Sequence, residues 1–165
     1  MNYQAVVDYF EDICSKNKGI LHTKERPHFF RIDGDEFHSA FKNFVGSPSV
    51  YLEMPEGRIT GDTLDNAFAS HEMALNLVTK VAPDDFTARL KAYNDMEQLG
   101  MDLFSRVVRD YQSSTNRIIE LFDWKSIRMY KISFVAHNMF GMRFEFSIGE
   151  RANAFRFYDN TKWTD

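Results

Sequence analysis

The sequence predicts an α+β domain in which a mostly antiparallel sheet packs against an N-terminal helix and one long central helix. Three patterns carry that expectation. Apolar residues recur at helical spacing from Tyr3 to Cys14 and again from Phe86 to Tyr111. Apolar residues alternate at period two around Met73–Val81, Tyr130–Phe134 and Met142–Ile148. The order that results is helix, short strand and helix, three strands, long helix, three strands and a tail, with the helices on one face of the sheet.

The first helix is read from Tyr3, Val6, Val7, Phe10, Ile13 and Cys14, with Gly19 as a left-handed stop. Residues 20–32 are extended but irregular, and His28–Ile32 forms a short strand. Asp33 then caps a short helix whose Phe37, Ala40, Phe41 and Phe44 face the core, broken at Gly46-Ser47-Pro48. Ser49–Met54 is a strand, and Pro55-Glu56-Gly57 turns the chain. Two further extended segments cover about Arg58–Ser70 and His71–Val81, the second with Met73, Leu75, Leu77, Thr79 and Val81 on one face.

Pro83-Asp84-Asp85 suits a helix N-terminus, where amide donors are unpaired and the dipole is positive. Phe86, Leu90, Tyr93, Met96, Leu99 and Leu103 form the inward stripe. Beyond Gly100 the stripe widens through Met101, Phe104, Val107, Val108 and Tyr111, which suggests contact on two sides. Residues 112–116 end the helix. Arg117–Trp124 is a strand, and the last two strands form a hairpin linked by His137–Gly141. The whole chain, 1–165, reads as one domain with an aromatic-rich tail from about residue 150.

Composition bounds the function. The 20 basic and 24 acidic residues give a net charge of -4, which argues against nucleic-acid binding through bulk phosphate neutralisation. No apolar run reaches the roughly 20 residues needed to cross a bilayer, and the first residues do not read as a secretory signal. No nucleic-acid or membrane partner is expected. The single cysteine excludes an intrachain disulfide and fits a reducing interior. Residues 1–116 carry -6 and residues 117–165 carry +2, an asymmetry that favours head-to-tail self-association.

The string Arg31-Ile32-Asp33-Gly34-Asp35-Glu36-Phe37 is the sharpest local motif. It resembles the Gly-Asp-Glu-Phe hairpin of nucleotidyl cyclases and the entry strand of guanylyltransferases acting on histidine tRNA. That likeness implies a palm-like enzyme whose carboxylates Asp33, Asp35 and Glu36 hold magnesium against a triphosphate. The other carboxylates of either pattern are missing. A capped helix start, with the acids in a favourable first turn, accounts for the same residues. His22, Glu25 and His28 could approach a metal, but Pro27 breaks the helix that would align them. No nucleophile elbow is present, and Cys14 lies mid-helix. No catalytic residue, metal or cofactor is expected.

The aromatic content, 15% with 16 Phe, exceeds what a core of this size readily encloses. Interfaces use such residues. The expected contact surface comprises Phe104, Val108 and Tyr111 on the long helix, Met139 and Phe140 in the late hairpin, and Phe155, Phe157 and Trp163 in the tail.

The whole layout resembles small tail-completion or tail-terminator-like proteins of phages and phage-derived injection particles, including a group from Bacteroidetes mobile elements. The N-terminal helix with His28-Phe29-Phe30-Arg31 carries part of the likeness. The long acid-capped helix after Met73–Val81 and the hairpin Asn138–Ile148 carry the rest, with the tail closing on Lys162-Trp163. The resemblance implies a non-enzymatic virion protein made in the bacterial cytoplasm. It would form a homo-oligomeric ring, often a hexamer, joined to tail-tube or neck proteins. Contacts in such a ring are heterologous and close by rotation.

Overall fold

A computed structural model describes residues 1–32, 48–61, 63, 67–82, 84–113, 117–119, 122–152 and 160–162. Asp33, Gly34, Asp35 and Glu36, the short helix with Phe37, Ala40, Phe41 and Phe44, and the tail residues Phe155, Phe157 and Trp163 lie outside the described residues.

Helix α1 spans Tyr3–Lys16. The Asn2 side chain accepts a hydrogen bond from the Ala5 amide at 3.1 Å and so satisfies a donor left free at the helix start. Val6, Val7, Phe10, Ile13 and Cys14 are buried, as their spacing requires. The stop differs from expectation. Gly19 is not left-handed; Asn17 is extended and its side-chain oxygen accepts from the Gly19 amide at 2.8 Å. A Cβ at Gly19 would lie 2.9 Å from Leu99 Cδ1, a side-chain end that can shift to make room. The left-handed residue is Leu21, with φ 52° and 59% exposure. A leucine in that region costs about 1–2 kcal/mol, and its exposed side chain contributes little packing in return. Leu21→Asn is therefore expected to raise stability by ~0.5–1 kcal/mol, read from the urea midpoint.

Five strands form one sheet in the order β1-β2-β3-β5-β4. They are β1 Phe29–Ile32, β2 Ser49–Thr60, β3 Phe68–Lys80, β4 Phe122–Phe134 and β5 Met139–Arg151. Strand β1 runs parallel to β2, and every other pair is antiparallel. Helix α2, Phe86–Gln112, opens on Asp85, whose carboxylate accepts from the Ala88 amide at 2.8 Å. The α+β architecture expected from the sequence is the one found.

Two boundaries differ. Pro55-Glu56-Gly57 does not turn the chain, because β2 continues through it to Thr60 with a register shift between Glu53 and Glu56. Proline lacks an amide donor, and a bulge accommodates it without ending the strand. Arg117–Ile119 is a 3-10 turn rather than the start of a strand, and β4 begins at Phe122. The β4–β5 hairpin is present, closed by a short turn at Val135–His137 and by Asn138 at φ 55°.

The main core lies between the sheet and both helices. Met142, Phe144, Phe146 and Ile148 point into it from β5, and Met73, Leu75 and Leu77 from β3. Phe104 of α2 sits among Phe144 and Phe146, with ring centroids 5.4 and 5.2 Å away. Gly100 lets the helix approach this closely, because a Cβ there would fall 2.1 Å from the Phe144 ring. A smaller cluster of Ile32, Tyr51, Val78 and Met139 lies on the opposite face, so the central strand β3 is buried on both sides near its C-terminal end.

A buried polar contact joins the helices. Tyr9 of α1 donates to Asp110 at 3.2 Å, and Arg106 Nε donates to both Asp110 oxygens at 2.9 and 2.8 Å. The buried line of α2 runs through Ala92, Met96, Leu99, Leu103 and Val107. Phe86 and Leu90, expected to face inward, fall on its flank and are 72% and 63% exposed.

Candidate functional site

Two strand irregularities lie on one rung of the sheet. In β2, Met54 and Pro55 intervene between the pairs Glu53↔Ala74 and Glu56↔Glu72. In β4, residues 124–127 intervene between Asp123↔Ser147 and Arg128↔Glu145. The same partners meet in the middle as Glu72↔Ser147 and Ala74↔Glu145. Bulges bend the strands that carry them. With one on each side of the β3–β5 pair, the face away from the helices becomes a trough of about 670 Å³.

Arg143 stands on the trough floor, since β5 alternates and Met142 and Phe144 take the other face. Its guanidinium pairs with Glu53 through Nη1 and with Glu145 through Nε at 2.9 Å. Asn76, only 1% exposed, donates to Glu53 at 2.8 Å and accepts from Arg143 at 3.3 Å. Partial burial by itself lowers the Arg143 pKa, but the hydrogen bonds to Glu53 and Glu145 outweigh it and raise the value above normal. The floor is thus a fixed, fully charged network. On the wall, Arg58 pairs with Glu72 at 2.9 Å. Glu56 on β2 and Arg128 on β4 make no ion pair with any described residue.

The β4 bulge is itself tied down. Ser126 Oγ donates to the Asp123 carbonyl at 2.6 Å and accepts from the Ser147 amide at 2.8 Å. The Lys125 amide donates to the Asp123 carboxylate at 3.0 Å. Trp124 projects outward, 56% exposed, with the Lys125 ammonium 5.6 Å from its ring.

A second surface runs along the flank of α2 that faces β4. Phe86, Leu90 and Met101 (50%) are exposed on α2, and Met129 (46%) is exposed on β4. Arg89 holds its guanidinium 5.0 Å from the Phe86 ring and 4.6 Å from that of Phe140, and Lys131 lies 5.5 Å from the Tyr93 ring. Among the described strands β4 ends the sheet. Lys125, Arg128 and Lys131 along it, together with its bulge, disfavour simple strand addition.

The contact residues expected from the sequence are placed differently. Phe104, Met139 and Phe140 are 4%, 1% and 2% exposed. They belong to the chain's own interior: Phe104 packs from α2 onto Phe144 and Phe146, Phe140 lies against Tyr93 and Arg89 on the helix side of the sheet, and Met139 is in the smaller cluster. Val108 and Tyr111 are half-buried against the main core, with Tyr111 edge-on to Phe122 at 6.4 Å. The exposed apolar residues among those described include Phe86, Leu90, Met101, Trp124 and Met129, besides Leu21, Ile59 and Val135 elsewhere on the surface. Leu90 carried a signal, since basic Arg89 and Lys91 flank it in sequence.

His22 is structural. Its Nδ1 accepts from the His28 and Phe29 amides at 3.0 and 3.1 Å, which leaves the proton on Nε2, 3.2 Å from Glu11. His28 contacts the Pro48 carbonyl at 2.7 Å. His22, Glu25 and His28 therefore do not converge on an ion. Among the described residues no group of three or more His, Cys, Asp or Glu side chains could hold a metal, and no helix is long and apolar enough to cross a membrane.

Compared with models of protein families and with curated protein sequences, the chain matches none.

Proposed function

We propose that this chain is a structural component of a phage or phage-derived particle, of the tail-terminator, completion or neck type. In this reading it closes into a homo-oligomeric ring and docks on the tail tube. The observation that carries the reading is the exposed apolar flank of α2 beside β4. Phe86, Leu90 and Met101 are large exposed residues spread along α2 and Met129 is exposed on β4, while Arg89 stacks on Phe86 and Lys131 on Tyr93, which supplies the apolar and cationic groups of a contact surface. A ring neighbour would present a different surface, and an acidic one suits the rim. The outer face of α1 offers Asp8, Glu11 and Asp12 in a shallow hollow.

Light scattering on the purified chain, alone and with isolated tail tubes, tests this. The double variant Phe86→Glu, Leu90→Lys should keep its thermal transition, because both side chains are mostly solvated. It should weaken assembly by at least about a hundredfold. A wild-type chain that stays monomeric and ignores tail tubes, or an unchanged assembly in the variant, overturns the proposal. Stabilisation by Mg-GTP would instead favour the enzyme reading of Asp33, Asp35 and Glu36.

A further inference from the structure

We infer that the trough between β2 and β4 is a binding site for a short zwitterionic peptide lying across the strands, its ammonium end at Glu56 and its carboxylate end at Arg128. The inference is independent of ring assembly, which uses the other face of the sheet.

The volume, about 670 Å³, lies within the range of small-molecule sites. The shape is built rather than incidental, because two bulges on non-adjacent strands align on one rung to produce it. Most of the lining charges are already committed: Arg143 to Glu53 and Glu145 on the floor, and Arg58 to Glu72 on the wall. Buried Asn76 locks Glu53 and Arg143 in place, so the floor offers oriented polar groups that need no reorganisation.

Apart from Asp123, whose carboxylate accepts from the Lys125 amide, the lining charges without an ion pair to a described residue are Glu56 and Arg128, on opposite walls and opposite in sign. A simple cation would leave Arg128 unanswered, and a simple anion would leave Glu56 so. From β2 to β4 the sheet takes three strand spacings, about 14 Å. An extended chain covers that distance in roughly four residues. Among the described lining residues Phe146 is the sole ring, 2% exposed and turned into the core, so they offer a nucleobase or sugar no stacking platform.

Isothermal titration of the full chain with tetra-alanine at low salt provides the test. Its free termini supply the two charges at the required separation. Saturable binding is expected, about tenfold weaker when the peptide is N-acetylated and again when it is C-amidated. Glu56→Gln should remove the penalty for acetylation alone, and Arg128→Gln the penalty for amidation alone. Both positions are exposed, so folding survives and is checked by the thermal transition. No saturation at millimolar peptide, equal binding of the doubly blocked peptide, or variants that lose both discriminations together would overturn the assignment.

Discussion

Gly141→Ala is expected to destabilise the fold by about 3 kcal/mol or more. Gly141 lies on β5, opposite Val78 on one side and Ile132 on the other, in the interior of the sheet. A Cβ built there meets the Leu77 carbonyl oxygen at 1.9 Å, its carbon at 2.8 Å and Val78 Cα at 2.8 Å. All three are backbone atoms of β3, which cannot rotate aside as a side chain could. Relief requires β3 and β5 to part, and these two strands carry Leu75, Leu77, Met142 and Phe144 of the main core. The ladder bonds and the apolar contacts would then loosen together. Urea unfolding of the variant should show a lower midpoint. A midpoint equal to wild type would mean that the two strands do not approach as closely as described.

Part of this architecture was readable from residue order alone. Period two in Met142-Arg143-Phe144-Glu145-Phe146 already separates an apolar face from one bearing Arg143 and Glu145, and the structure keeps that separation. The helical stripes of α1 and α2 were equally plain, because burial of one face imposes the spacing. The trough was not readable. Pro55-Glu56-Gly57 has turn composition, and only the pairing of Glu53 with Ala74 and of Glu56 with Glu72 makes a bulge there. That the second bulge stands on the same rung depends on the registers of four strands, which no local window contains. Phe86 and Leu90 misled for a related reason. They continue the helical period, but Ala92 rather than Leu90 meets the core, since the rotation of α2 is set by Gly100 against Phe144. Phe140 and Met139 were misjudged because both faces of the sheet are apolar at that end, so an aromatic there is enclosed.

Alkaline pH is expected to unfold this chain cooperatively. Tyr9, Tyr51 and Cys14 are 7%, 0% and 0% exposed. Burial raises the pKa of each, strengthened at Tyr9 by the charge of Asp110 and at Cys14 by that of Glu11, while at Tyr51 a hydrogen bond with Ser49 partly offsets it. All three are neutral in the folded chain. Unfolded, they ionise near their ordinary values, 9.0 for the thiol and 10.0 for the phenols. The folded state therefore holds more protons above that range, and stability falls as pH rises. The contribution is complete below pH ~9 and declines by about 1.4 kcal/mol per pH unit for each group once its unfolded form is ionised. Three such groups give a slope near 4 kcal/mol per unit, enough to exhaust a stability of about 5–15 kcal/mol within a few units. The share of the phenolate absorbance that belongs to Tyr9 and Tyr51, two of the seven tyrosines, should thus appear together with the change in circular dichroism, in one transition above pH ~10. Tyr9→Phe removes one titrating group and should make that transition shallower. Phenolates appearing gradually near pH 10 at both tyrosines, with the circular dichroism intact, would show that these side chains are not enclosed. The packing of α1 against α2 at Tyr9 and of the smaller cluster around Tyr51 would then have to be redrawn.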